Sequence, residues 1–158
     1  MISILGIAAC ASGHAIPRVA LPVEAAAPSP VAGYDWFYDD GPDEVRLTYG
    51  VESSDDVRLS LACRPGSSAL SLTAETHGGT SAIVLESGGE TERFTARSEP
   101  SALSDGEFLT ADGPSKAPVF LRFRRLGWLA IWEGETRTIL AAHPQSTAGI
   151  ERFFTRCA

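Results

Sequence analysis

Two cysteines far apart in the chain, each on the inward side of a patterned segment, constrain this sequence more than any other feature. Cys63 closes the run Val57–Cys63, where Val57, Leu59, Leu61 and Cys63 alternate with Arg58, Ser60 and Ala62. That period of two is the signature of a half-buried strand, and it points Cys63 to the side of three core residues. Cys157 ends a different pattern. Ile150, Phe153, Phe154 and Cys157 stand at i, i+3, i+4 and i+7, one face of a helix, with Glu151, Arg152, Thr155 and Arg156 on the other. Ser146 or Thr147, just after Pro144, is the expected N-cap, and the arginines near the end suit the negative pole of the helix dipole. A helix this short is marginal alone, so its aromatic face must dock. Both thiols then point into one core, which predicts a Cys63–Cys157 bond between a strand and the terminal helix. Such a bond needs an oxidising compartment.

The third cysteine, Cys10, breaks the even count. It follows the short apolar stretch Met1–Ala9, and Ile7-Ala8-Ala9-Cys10 resembles a bacterial lipobox. No Lys or Arg precedes the apolar run. The resemblance implies cleavage before Cys10, a lipid on that residue, and, with Ala11 next, sorting to the outer membrane. Behind it, Ala11–Gly33 carries Pro17, Pro22, Pro28 and Pro30, many alanines and no periodicity, the composition of an extended tether. The expected organisation is therefore 1–9 signal peptide, 10–33 Pro/Ala-rich tether and 34–158 a single globular domain.

Within that domain the patterns are mostly those of strands. Asp35–Tyr38 is aromatic and strand-like and leads into the turn Asp39-Asp40-Gly41-Pro42. Val45, Leu47 and Tyr49 alternate with polar neighbours, and Pro65-Gly66 returns the Val57–Cys63 strand into Leu70, Leu72 and Ala74. Ser81–Leu85 and Glu92–Ala96 flank Ser87-Gly88-Gly89-Glu90, and Glu107–Ala111 is a weaker strand. Pro118–Leu126 fits either period. Ser115 as a cap and Gly127 as a stop favour a short helix there. Trp128–Trp132 is apolar on both faces, which predicts a central strand covered by helix on one side and by sheet on the other. Thr136–Ala141 follows Glu133-Gly134-Glu135 as a further strand. The fold class that results is α+β: a mainly antiparallel β-sheet, curled or sandwich-like, with a C-terminal helix packed on it and fastened by the strand-to-helix disulfide.

A formal net charge of −7 argues against nonspecific attraction to nucleic acid or to anionic membrane. His14, His77 and His143 are isolated, with no spacing that sets two on one face, so no metal site or other cofactor is expected. Asp39, Asp40, Asp43 and Glu44 lack the EF-hand pattern and read as an acidic turn. Gly66-Ser67-Ser68-Ala69 lacks the second glycine of a nucleophile elbow, and His77-Gly78-Gly79 reads as a turn between strands. No catalytic residue is assigned. The candidate ligand-binding group is Trp36, Tyr38 and Asp39, where aromatic faces beside carboxylates suit a sugar or a peptide. The competing reading sends alternate aromatics of that strand into the core. Arg122, Arg124 and Arg125 form the basic cluster, read as a solvated face.

The strand Leu59-Ser60-Leu61-Ala62-Cys63, the strand meander and the terminal Phe153-x-x-x-Cys157 together resemble a loose group of small proteobacterial envelope proteins, some of which accompany type VI secretion. That pattern supplies a scaffold and no site residues. The expectation is a non-catalytic lipoprotein on the periplasmic side of the envelope, a binding or accessory module for another envelope protein. The alternative is a hydrolase acting on cell-wall or lipid material.

Overall fold

A computed structural model describes residues 27–77, 79–101 and 106–158. Cys10, the lipobox and most of the tether lie outside the described residues. The described residues form nine strands and two helices in the order β1 (Tyr34–Asp40), β2 (Val45–Val51), β3 (Val57–Cys63), β4 (Ala69–Thr76), β5 (Ala82–Ser87), β6 (Glu90–Pro100), β7 (Glu107–Pro114), α1 (Pro118–Leu126), β8 (Trp128–Glu133), β9 (Thr136–Ala141) and α2 (Thr147–Arg156). The strands make one sheet of order β1-β2-β3-β4-β7-β6-β5-β8-β9, antiparallel throughout, curled into a nearly closed barrel. β6 is where it curls: Glu90–Thr95 pair with β5, while Ala96–Pro100 pair with β7.

Both helices pack against the inward face of the sheet. That face carries Leu47, Leu59, Leu61, Leu70, Leu72 and Leu85, all fully buried. Aromatic rings cross the interior between the helices and the far strands. Phe123 of α1 meets Trp36 of β1 at 4.7 Å between centroids, Phe120 meets Phe94 of β6 at 5.4 Å, and Phe154 of α2 touches both Phe120 and Phe123 at 6.1 and 5.9 Å. One continuous core results.

Pro118–Leu126 is a helix, and it ends on Gly127 in the left-handed conformation, φ +74°, whose N–H bonds the Phe123 carbonyl. Its start differs from expectation. Ala117 caps it, with no side-chain bond, and the Ser115 hydroxyl is buried without a partner among the described residues. Pro118 at the first position needs no N–H acceptor, so the helix begins without a polar cap. The cover of β8 also differs. Leu129 and Ile131 face the core, but among the described residues no sheet lies over the other side, where Trp128 and Trp132 are half-buried. What covers them is the Arg137 side chain from β9, its guanidinium 5.6 and 5.9 Å from the two ring centroids. Long cationic side chains can shield apolar surface while keeping the charge wet.

The Cys63–Cys157 disulfide is formed, with Cα atoms 5.8 Å apart and a sequence separation of 94. The β3–β4 turn secures the same helix end. Gly66 and Ser68 N–H groups donate to the carbonyls of Arg156 and Cys157 at 2.7 and 3.1 Å, satisfying acceptors the helix cannot.

Candidate functional site

The aromatic strand β1 is an edge strand, paired with β2 alone. Its alternation is strict in consequence. Tyr34, Trp36 and Tyr38 turn toward the core; Asp35, Phe37 and Asp39 do not. Trp36 is 2% exposed, and its indole N–H donates to the Leu140 carbonyl of β9 at 3.0 Å, so the ring itself offers no face to a ligand. The sheet nearly closes at this bond, and α2 lies along the seam. Gly149 permits the approach: a Cβ there would sit 3.1 Å from that of Tyr38.

Outside the seam is an open groove of about 620 Å³, lined along β1 from Gly33 to Tyr38 and along the opposite wall by His143, Gln145, Ser146 and Arg152. Of the three predicted ligand residues, Tyr38 lines it, Trp36 forms its floor from the core side, and Asp39 is exposed outside it. The residue that organises the groove is Asp35. Its Oδ1 accepts from the Trp36 N–H at 2.8 Å, the His143 N–H at 3.0 Å and the Ser146 hydroxyl at 2.5 Å, and Oδ2 accepts from Gln145 at 3.3 Å. One carboxylate thus ties the edge strand to the connection that enters α2, near the positive end of that helix. The sequence marks Asp35 as a carboxylate among aromatics. It carries no sign that its partners stand more than a hundred residues away.

Serine, histidine and aspartate therefore meet in one groove, and the wiring decides what they can do. In a nucleophilic triad the imidazole takes the serine proton and the carboxylate orients the imidazole. Here the serine bonds the carboxylate directly, with the His143 carbonyl 2.9 Å away as a second acceptor. His143 reaches Asp35 only through its backbone N–H, and its Nε2 lies 3.4 Å from the Val31 carbonyl. The arrangement is a clamp.

Tyr34 is pinned at the groove's end. Its hydroxyl bonds Asp56 and accepts from Arg58 at 3.0 Å, and its ring stacks on Tyr49 at 5.8 Å. The Tyr49 hydroxyl is buried without a partner among the described residues, and desolvation, then the nearby Asp35 and Tyr34, push its pKa up to about 12. Burial, then Asp40, also raise the Tyr38 phenol, while Arg156 opposes them. Arg156 itself reaches Asp40 at 3.1 Å and so joins the end of α2 to the end of β1.

The remaining sequence candidates are dispersed. Arg122 faces Glu90 at 3.6 Å, Arg124 pairs with Glu151, and Arg125 is exposed, so the basic cluster splits among three directions. Glu44 pairs with Arg46 within the acidic turn. His77 is exposed in the β4–β5 connection. Comparison with protein families, with curated proteins and with solved structures finds no match to this chain.

Proposed function

We propose that this protein is a non-catalytic binding or accessory module of a bacterial cell envelope, anchored through a lipid on Cys10 and held off the membrane by the Pro/Ala tether. The observation that carries the binding reading is the Asp35 clamp. It spends the polar groups of Ser146, Gln145 and the His143 backbone on holding a groove open beside an edge strand, and leaves Phe37, Tyr38, Arg152 and the His143 ring to meet a ligand. An extended peptide of an envelope partner fits best, since the groove runs along β1 and offers it aromatic, cationic and imidazole side chains. Photo-crosslinking from a probe at residue 37 in intact cells, followed by peptide sequencing, tests this. Adducts to one envelope protein, lost in Arg152→Glu, support the reading; no adduct above a probe placed at residue 97 sinks it.

A hydrolase is the second reading, favoured by the presence of Ser146, His143 and Asp35 in one groove. It requires the imidazole to swing from Val31 to the serine. Labelling of Ser146 by a fluorophosphonate, abolished in His143→Ala, would establish it. The address is tested separately: mature protein extracted from membranes should begin with diacyl- or triacyl-Cys10 by mass spectrometry. An unmodified Cys10 would exclude the anchor.

A further inference from the structure

The outward face of the β6-β5-β8-β9 half carries a row of side chains in register. Arg137 of β9 opposes Trp132 of β8, Trp132 opposes Val84 of β5, and Val84 opposes Arg93 of β6. Trp132 and Arg93 are thus two strands apart, roughly 10 Å at normal strand spacing, with the small Val84 as a floor between them. The β4–β5 connection, through Gly79 and Thr80, and the β8–β9 turn, through Gly134, border this slot, and Thr91 stands beside Arg93. Its volume is about 570 Å³.

Each wall is prepared differently. The indole is held: its Nε1 donates to Glu86 at 2.9 Å, and Glu86 is gripped by two bonds of 2.8 Å from Arg137. The Arg137 bonds, then the indole N–H, keep the Glu86 carboxyl below its usual range, so this support stays charged. Arg93 is the opposite case. It is exposed and makes no ion pair among the described residues, although the chain carries a net charge of −7. A fixed indole and an uncommitted guanidinium line the same slot, with Val84 between them.

From this geometry we infer a second binding site, separate from the seam groove, for an acidic saccharide: a pyranose ring carrying a carboxylate. The C–H face of the ring stacks on the face of Trp132 turned away from Arg137. The carboxylate bridges to Arg93 through paired N–H bonds. Thr80 and Thr91 supply hydroxyls at the edge, where ring hydroxyls need partners. The site does not depend on the seam groove or on the lipid anchor.

Tetragalacturonate is the probe, followed through the Trp132 indole N–H resonance of the intact domain. A saturable shift of that resonance is expected, weakened about tenfold or more in Arg93→Ala, as loss of a charged hydrogen bond requires. Trp132→Ala should weaken binding similarly by fluorescence of the remaining tryptophans, Trp132→Phe less, and Arg97→Ala, also an arginine on β6, should leave it unchanged. The fully methyl-esterified tetramer should not bind. The inference is overturned if tetragalacturonate gives no saturable shift, if the ester binds equally, or if hexaglutamate competes equally, which would make the slot an acidic-peptide site.

Discussion

The two helices occupy the same interior and are kept there by different means. α1 is internal to the chain: β7 delivers it, β8 takes it away, and Val119, Phe120 and Phe123 are all fully buried. It needs no polar cap and has none. α2 buries a comparable face through Ile150, Phe153 and Phe154, but only β9 leads into it and no strand follows it among the described residues. That helix is tied at its start by the Asp35 clamp, along its length by Arg124–Glu151, and at its end by Arg156–Asp40, the β3–β4 turn and the disulfide. Apolar burial alone leaves a short helix to fray at its ends; strands flank α1 on both sides, whereas α2 carries polar ties at its start and its end. The cross-link sits at the Cys157 end of α2.

The sharpest way to break the contrast is to cut the bond. Closing 94 residues is worth at most roughly 4–5 kcal/mol in the entropy model, so Cys157→Ser should give the largest loss in a denaturant titration. Hydrogen exchange should then show α2 opening well before α1; simultaneous opening would mean that packing, not the bond, seats α2. Phe123→Ala attacks the other helix. Its ring contacts Trp36 and Phe154, so a loss of about 3–5 kcal/mol is expected, with α1 and β1 both loosened.

Asp35→Ala leaves the helix fastened at its far end and frees its start. Half-buried donors lose their acceptor, for a cost toward the low end of about 1–3 kcal/mol, with exchange rising at His143 and Ser146 first. Arg124→Ala should cost less than about 1 kcal/mol, because the pair is exposed. Arg124 also holds the Glu151 carboxyl below its usual range, chiefly by hydrogen bonding. A depressed folded pKa adds stability above the ordinary carboxylate value and loses it as pH falls, so the variant should differ from the parent near neutrality and converge with it in acid. Tyr49→Phe should change least at neutral pH, since the lost hydroxyl bonds nothing among the described residues. The phenol's folded pKa of about 12 exceeds its ordinary 10.0, so stability should fall as pH rises from 10 in the parent and less in the variant. An unchanged alkaline limb would show that another group controls it.

Much of this architecture was legible in the sequence, and the reason is periodicity. The β3–β4 hairpin, the helix over Pro118–Leu126 with its Gly127 stop, and α2 with Cys157 inward all rest on local patterns that tertiary structure had no cause to override. Local patterns fail where the answer depends on what lies across a face. Trp128–Trp132 reads as covered on both sides, yet its outer rings are shielded by one arginine rather than by a sheet. Ser115 reads as a cap, yet Pro118 makes a cap unnecessary. The seam groove was half visible: an aromatic strand with carboxylates, but not which carboxylate mattered.

The chain by itself determined its strands, its two helices and the pairing of Cys63 with Cys157, because side-chain direction follows from periods of two and of 3.6. Only the tertiary structure decided that β1 and β9 come together at a seam, and so that Asp35 meets His143, Gln145 and Ser146. It alone set Arg93 opposite Trp132 as well. Those contacts come from strand order and register, which are fixed when the whole sheet curls around one core, and no local pattern encodes that closure.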